Sequence, residues 1–243
     1  MNSQKNEAAA GPASQSVRKP RSDGVESRHA ILDAAARLAT THGLEGLSIG
    51  ELAQHIGMSK SGLYAHFKSK EELELATIET AARIFEDDVI HKVPESPRGF
   101  ARVDALSEAF FQHLARRVYP GGCFFATVAA QLAPRPGRAR DRVMQMQNAW
   151  VEQFMAALRQ ARDDGELPPT ADLEQLAFEI TAMMFRSNFA WIVAEDERVL
   201  DLARVGIRNV LSGAAKPRPS GRTRPAAKLK PVTRNRSATE RKS

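Results

Sequence analysis

The side chains best suited to chemistry lie between residues 48 and 70, and the chemistry they suit is hydrogen bonding to nucleic acid. Lys60 can donate to guanine O6 and N7, and the Ser61 hydroxyl can both donate and accept, so both can contact base edges. Tyr64 and His66 carry donors suited to phosphate oxygens, which orient a protein without specifying sequence. The predicted DNA contacts are Ser48, Ser59, Lys60, Ser61, Gly62, Tyr64, His66 and Lys70.

Two short helices joined by a tight turn would position these donors. Ser48 can cap the first helix, and Glu51 three residues later completes a capping box. Gly57 tolerates the positive φ that a sharp turn between helices requires. Ser59 can cap the second helix, over residues 59–65, whose N-terminal end would enter the major groove. The spacing therefore predicts a helix-turn-helix.

Three of the predicted contacts have supporting roles in this arrangement. Gly62 has no side chain, so the second helix can approach DNA closely. Ser48 lies at a helix N-terminus, which favours an anionic phosphate, and Lys70 offers a phosphate a positive charge. A simpler interpretation remains open, in which Ser48 and Ser59 act only as caps and the Tyr64 ring packs against the first helix.

The rest of the chain repeats apolar residues at helical spacing, and signals for β-strands are nearly absent. The first helix is expected to begin near Ser27 and to end at Gly43. The predicted fold class is all-α. The last two helices, at about 172–195 and 197–212, are apolar on more than one face, so each must be covered on more than one face.

This surplus of apolar surface predicts a homodimer. A second subunit could cover it through a twofold interface, and a helix-turn-helix usually needs two copies to span successive major grooves. Alternatively, other helices of the same chain could cover both faces. The predicted dimer interface comprises Ile180, Met183, Ser187, Val199, Leu202, Ile207 and Val210.

The net charge of +6 is unevenly distributed along the chain. Residues 216–243 hold ten basic residues and one acidic residue, so they carry +9 and leave −3 for the remainder. Prolines interrupt this segment and large apolar residues are scarce, which predicts a disordered tail that cannot build a core. Such a tail either attracts phosphates without sequence preference or is a solvated extension.

Other classes of protein find little support in the sequence. The six histidines show no metal-ligand spacing, so no metal, cofactor or catalytic residue is expected. Cys123 is the single cysteine, which excludes an intrachain disulfide, and no base that would make it a nucleophile is identifiable. No apolar run approaches the roughly 18 residues of a membrane span, and the N-terminus lacks the apolar segment of a signal peptide. A cytoplasmic protein with no membrane partner is therefore expected.

Residues 31–75 closely resemble the DNA-binding domain of the tetracycline-repressor (TetR) family of bacterial regulators. The resemblance rests on residues 36–43, on the segments LSIGELAQHIGMS and GLYAHFKSKEEL, and on the long helix that follows them. It implies a homodimer of about nine helices per subunit. The first three helices would bind DNA, the fourth would connect them to a variable ligand-binding domain, and the last two would pair with their mates.

The predicted organisation combines this resemblance with the composition. It comprises a disordered N-terminal arm at 1–26, a helix-turn-helix DNA-binding domain at 27–69, a connecting helix at 70–92, a ligand-binding and dimerisation domain at 93–213, and a basic disordered tail at 214–243.

Small-molecule sites are mostly apolar with a few polar groups, so we expect a largely apolar effector with polar contacts from His113 and Asn188. The predicted effector contacts are Phe110, His113, Cys123, Phe125, Met144, Trp150, Phe154, Met184 and Asn188.

The function predicted is sequence-specific transcriptional regulation. A repressor would bind a palindromic operator in double-stranded DNA on the bacterial nucleoid, and a small effector would release it by favouring a dimer whose two recognition helices no longer match adjacent grooves. Two alternatives remain at this point. One is an architectural or weakly specific DNA-binding protein driven by the basic tail, and the other is a regulator that needs no effector.

Overall fold

All regular structure in the described part of the chain is helical. The computed structural model describes residues 20–215, with side chains from Ser27 onward. Its α-helices are α1 (Pro20–His42), α2 (Ile49–His55), α3 (Lys60–His66), α4 (Lys70–Phe85), α5 (Gly99–Ala115), α6 (Phe124–Leu132), α7 (Arg138–Asp163), α8 (Leu173–Ala194) and α9 (Arg198–Ala215). The predicted all-α class with about nine helices is confirmed. None of the described helices is long and apolar enough to cross a membrane.

The helix boundaries depart from the predicted ones most clearly at the N-terminus. α1 begins at Pro20 rather than near Ser27, so residues 20–26 belong to this helix and not to the predicted disordered arm. The predicted connecting helix ends close to its expected position, because a π-helical turn, Glu86–Ile90, continues α4. The rest of the predicted arm, and the basic tail from residue 216 onward, lie outside the described residues.

The helix-turn-helix unit has a small apolar core of its own. It joins buried side chains of α1, α2, α3, the start of α4 and the segments between them, which are Ile31, Leu32, Ala35, Leu47, Leu52, Ala53, Leu63, Phe67 and Leu73. Three serines cap its helices by accepting backbone N–H groups: Ser48 from Glu51 at 3.0 Å, Ser59 from Gly62 at 3.0 Å, and Ser69 from Glu72 at 3.1 Å. These local signals explain why the short helices begin where the sequence predicts.

A second and larger core is shared by α4 to α9 and by one face of α1. α7 packs against α4, α5, α6 and α8, so it is the central helix of this domain. Arg142 on α7 donates two hydrogen bonds to the Glu79 carboxylate on α4, at 2.6 and 2.7 Å. This paired arrangement lowers the pKa of Glu79 and fixes the connecting helix against the C-terminal domain.

α1 also contacts the C-terminal domain directly, at the loop between α5 and α6. Arg37 donates to the Val118 carbonyl at 2.7 Å, and the Thr40 hydroxyl accepts the backbone N–H of Gly121 at 3.1 Å. A Cβ at Gly121 would overlap the Thr40 carbonyl oxygen, so the two backbones touch there. α1 also packs against α6, and Arg135 pairs with the Glu45 carboxylate. The helix-turn-helix unit is therefore attached to the rest of the protein through α4, this loop and α6.

Candidate nucleic-acid interface and ligand cavity

The helix α3 separates an apolar face from a polar one. Leu63 is fully buried, whereas Lys60, Ser61 and Tyr64 are exposed, with Tyr64 exposed by 57%. Ser59 caps α3 by accepting the backbone N–H of Gly62, and the exposed side chains of Lys60 and Ser61 lie at this same end of the helix. This geometry presents donors to a groove, as a recognition helix requires.

The remaining predicted contacts surround this helix. Ser48 and Ser59 are exposed caps, and Gly62 is half-buried, where a Cβ would lie 3.2 Å from the Ser59 hydroxyl. The Ser59 and Ser61 hydroxyl oxygens are 3.1 Å apart. Lys70 is exposed, but its ammonium group donates to the Glu45 carbonyl at 2.5 Å and lies 3.8 Å from the Glu74 carboxylate.

A positioning residue that the sequence did not single out is Arg28 on α1. Its guanidinium group lies 4.4 Å from the centre of the Phe67 ring and donates to the His66 carbonyl at 2.7 Å. It is also 3.9 Å from the Glu72 carboxylate. Arg28 therefore fixes the C-terminal end of α3, and His66 is half-buried beside it. No local sequence pattern predicts this role, because Arg28 and His66 are 38 residues apart.

A cavity of about 300 Å³ lies in the C-terminal domain, between α4, α5, α6, α7 and α8. Five of the predicted effector contacts line it: Phe110, Cys123, Phe125, Trp150 and Met184. The sequence did not single out the other lining residues, which are Phe85, Ala126, Met146, Gln147, Asn148, Val151, Phe178, Thr181, Ala182 and Phe185. Helical spacing alone could have found those on α7, and Thr181 and Phe185 on α8, because they lie one turn from predicted residues.

Phe85, the last residue of α4, is the aromatic centre of this cavity. Its ring meets Trp150 edge to face at 5.1 Å and Phe125 at 6.1 Å. It also contacts the buried imidazole of His113 at 5.8 Å. The wall of the cavity thus includes α4, the helix that connects it to the helix-turn-helix unit.

Four predicted effector contacts lie outside the lining. His113 is 2% exposed and faces the Asp88 carboxylate at 3.4 Å, and burial lowers its pKa. The Asn188 side-chain oxygen accepts the backbone N–H of Cys123 at 2.8 Å. Phe154 is fully buried behind Trp150, and Met144 is 40% exposed on the outside of α7. The two polar groups expected to contact an effector thus face residues of the protein itself, Asp88 and Cys123, and not the cavity.

The cavity does not resemble a catalytic centre in the part of the chain that the structure describes. The Cys123 thiol is fully buried, and burial raises its pKa, which keeps it in the protonated, weakly nucleophilic form. Backbone N–H groups of Phe125 and Ala126 oppose this shift. Within residues 27–215 the side chains form no cluster of His, Cys, Asp or Glu suited to a metal ion.

The predicted dimer-interface residues divide into two groups. Ile180 and Ile207 are 0% and 1% exposed and lie in the core of their own chain, and Ser187 is 3% exposed at the bottom of the groove between α8 and α9. This burial corrects the assignment of the two isoleucines to an interface, because other helices of the same chain cover them. Met183, Val199 and Val210 are half-buried, while Leu202 is 69% exposed.

A stripe of exposed apolar side chains runs along α8 and continues onto α9. Its members, which we call the exposed apolar stripe, are Phe178, Phe185, Phe189, Val193, Leu202 and Val205. A shallow groove between α8 and α9 lies beside it and includes Met183, Val199 and Leu202. Ala182 lines both this groove and the cavity, so the two surfaces are continuous.

Comparison with family models places this geometry among known regulators. Residues 31–77 match the model for bacterial regulatory proteins of the tetR family, and residues 99–207 match the model for a tetracyclin repressor-like C-terminal domain. Together the two models span most of the described residues. The first match ends within α4, and the second begins at the start of α5.

Individual relatives and solved structures agree with the family models. The transcriptional repressor ComR of Escherichia coli K12 is 29% identical over 176 residues, which cover 68% of this chain and 80% of ComR. A TetR transcriptional regulator from Chloroflexus aurantiacus superposes with a TM-score of 0.73 at 25% identity, covering 79% of this chain and 96% of that one. AibR, solved in complex with isovaleryl coenzyme A and operator DNA, has a TM-score of 0.60 at 26% identity, covering 73% and 96%.

Proposed function

Because this chain belongs to the TetR family of DNA-binding transcriptional regulators, we propose that it is a homodimeric repressor, released from a palindromic operator by a small, largely apolar effector. One observation carries the proposal. α3 exposes Lys60, Ser61 and Tyr64 while its opposite face is buried against α1 and α2. A short helix held in this way can present its donors to a major groove without losing its own packing.

Sequence recognition is assigned to the N-terminal end of α3. Lys60 and Ser61 would contact base edges, and Tyr64 would bond a phosphate. The Ser48 hydroxyl donates to the Glu51 carboxylate at 3.0 Å, and it would exchange this partner for a second phosphate near the N-terminus of α2. Ser59, Gly62 and His66 would support the close approach of α3, and Lys70 would contribute charge while holding the loop before α2.

The second subunit would pack on the exposed apolar stripe of α8 and α9. Side chains such as Phe189 and Leu202, at 60% and 69% exposure, are costly to leave in water. A twofold pairing would bury the same stripe of both copies and set two α3 helices at a fixed separation. Adjacent half-sites need a separation of about 34–36 Å, so dimer geometry determines operator affinity.

Release would follow from the position of Phe85 in the cavity wall. An effector lying beside the Phe85 and Trp150 rings favours one arrangement of the end of α4, and the Glu79–Arg142 pair transmits movement between α4 and α7. The effector shifts the equilibrium only to the extent that it binds the released arrangement better. Since operator DNA lies in the nucleoid, this regulation would take place in the bacterial cytoplasm.

The proposal is tested by selecting binding sites from a random pool of duplex DNA at near-physiological salt. The full chain, a chain ending after Gly213, and the full-chain variant Lys60→Ala are compared. We expect the first two to enrich one palindrome, and Lys60→Ala to lose roughly 1–3 kcal/mol of discrimination at one base pair of each half-site. If only the full chain binds and no sequence is enriched, the basic tail dominates and the protein is an architectural DNA-binding protein instead.

A further inference from the structure

The cavity walls are built from aromatic rings set at right angles to one another. Phe85 meets Trp150 at 89° and Phe125 at 85°, while Phe110 is nearly parallel to Trp150 at 29° and 6.3 Å. Phe178 and Phe185 complete the lining on α8. Perpendicular rings offer both faces and edges, and an aromatic guest can use both in the favourable offset and edge-to-face geometries.

The cavity has a small number of polar groups whose bonding capacity is only partly used. Gln147 donates its amide N–H to the Phe125 carbonyl at 3.3 Å, which leaves its side-chain oxygen as an acceptor. The Thr181 hydroxyl donates to the Ala177 carbonyl at 2.7 Å and can still accept. The Trp150 indole N–H has no acceptor among the described residues. The walls therefore provide acceptors on Gln147, Thr181 and Asn148, and donors on Trp150 and Asn148.

No described residue that lines the cavity carries a formal charge. An ionised carboxylate, phosphate or sulfonate entering it would lose hydration without gaining a cationic partner, and this loss is expensive. The Cys123 thiol in the lining is kept protonated by burial, which raises its pKa. The buried imidazole of His113, which contacts Phe85, is directed toward Asp88, and burial holds its pKa below the usual value, which favours the neutral ring. The cavity volume of about 300 Å³ is also at the small end for ligand pockets.

We propose that the cavity takes an uncharged aromatic molecule bearing a hydroxyl or N–H group, with its ring between Phe85, Phe125 and Trp150 and its donor on Gln147 or Thr181. The inference rests on the proposed function for the idea that an effector binds here, and it adds the chemical class. It predicts that the phosphates of a coenzyme A ester, such as the isovaleryl coenzyme A with which AibR was solved, would not lie among these walls. Coenzyme A carries several phosphate charges, for which these walls provide no partner.

Two fluorescent probes that share one scaffold test the class directly. N-phenylnaphthylamine is neutral and carries an N–H group, and anilinonaphthalenesulfonate is the same ring system with a sulfonate. We expect saturable binding of the neutral probe to the full-length protein, with an affinity at least about tenfold higher than that of the sulfonate. Equal or tighter binding of the sulfonate would overturn the proposal.

A matched pair of substitutions on α7 shows whether the probes occupy this cavity. Met146 lines it and is half-buried, whereas Met144 is exposed and lies outside the lining. Met146→Lys supplies the missing cation, so the preference for the neutral probe should fall by about tenfold or reverse. Met144→Lys should leave the ratio unchanged. Partly unfolded protein also binds anilinonaphthalenesulfonate, so the ratio of affinities is compared only between variants that are folded at the assay temperature. A ratio that responds equally to both substitutions places the probes elsewhere and refutes the inference.

The same protein samples separate this inference from the proposed function. If a palindrome is enriched from random DNA but the neutral probe does not bind, the ligand class is wrong and the regulator stands. If the neutral probe binds with the expected selectivity but no palindrome is enriched, the regulator proposal fails and the ligand class stands. Thermal unfolding of each lysine variant, followed by circular dichroism, confirms that both are folded at the assay temperature.

Discussion

The backbone N–H of Cys123 donates to the side-chain oxygen of Asn188 across 2.8 Å, which fixes the start of α6 to the middle of α8. Two residues earlier, Gly121 donates to the Thr40 hydroxyl on α1. A Cβ at Gly122 would overlap the Asn188 oxygen, so only glycine fits between these partners. The loop before α6 thus connects a cavity-lining residue, the helix that bears the exposed apolar stripe, and the DNA-binding unit.

Replacing Asn188 with leucine should destabilise the protein through this loop. The Cys123 N–H would be left buried without an acceptor, at a cost of about 1–3 kcal/mol in the free energy of unfolding. Urea denaturation followed by circular dichroism measures the change. Asn148→Leu is the matched control, because Asn148 is exposed on α7 and should tolerate the change. Equal stability of the Asn188 and Asn148 variants would show that this hydrogen bond contributes little.

Gly121→Ala tests the contact between this loop and α1. The added methyl group overlaps the Thr40 carbonyl oxygen, so the backbones must separate, with an expected cost of about 1–3 kcal/mol. Gly213→Ala is the control, since a Cβ added there, near the end of α9, would meet no atom within 4 Å. We expect the melting temperature to fall only for the Gly121 variant. An unchanged melting temperature would mean that the loop moves aside without cost.

Charge placed on the exposed apolar stripe should separate subunits without unfolding them. Phe189→Glu and Leu202→Glu alter side chains that the chain itself leaves mostly exposed, so each should yield folded monomers with much weaker operator binding. Ile180→Glu should instead unfold the domain, because that side chain is fully buried in its own core.

Sedimentation velocity reports the mass of each stripe variant, and circular dichroism reports its fold. Ala156→Glu, on the exposed side of α7, controls for the added charge. Dimers of normal stability in both stripe variants would place the subunit interface elsewhere on the molecule.

Protonation of His113 predicts a loss of stability at acidic pH. Burial lowers the folded-state pKa of His113 below the value of 6.5 that an exposed histidine has, although Asp88 partly opposes this shift. The unfolded chain therefore binds the proton more readily, and the free energy of unfolding should fall as pH drops through about 6.5 toward the folded-state pKa. Urea midpoints measured from neutral to mildly acidic pH should show a steeper fall for the wild type than for His113→Gln. If the wild type and His113→Gln lose stability equally as pH falls, protonation of His113 is not the cause of the loss.

The sequence was sufficient for those features of the DNA-binding unit that depend on near neighbours. Caps at Ser48 and Ser59 act across three residues, and the burial of Leu63 and Phe67 follows from helical spacing. Separation of α3 into a buried and an exposed face was therefore predictable from the sequence alone. The assignment of individual DNA contacts remains a prediction.

Only the tertiary structure decided which residues of the C-terminal domain line the cavity, which are buried in the core, and which bond to distant partners. Phe154 and Trp150 are one turn apart on α7 and both apolar, yet only Trp150 lines the cavity, because the rotation of α7 against α4 and α5 selects the face. Asn188 and Cys123 are 65 residues apart, and Gly121 and Thr40 are 81 apart. Sequence periodicity reports that a face is buried but not what covers it, so the partners of Asn188, His113 and Ile180 emerged only when the helices were packed together.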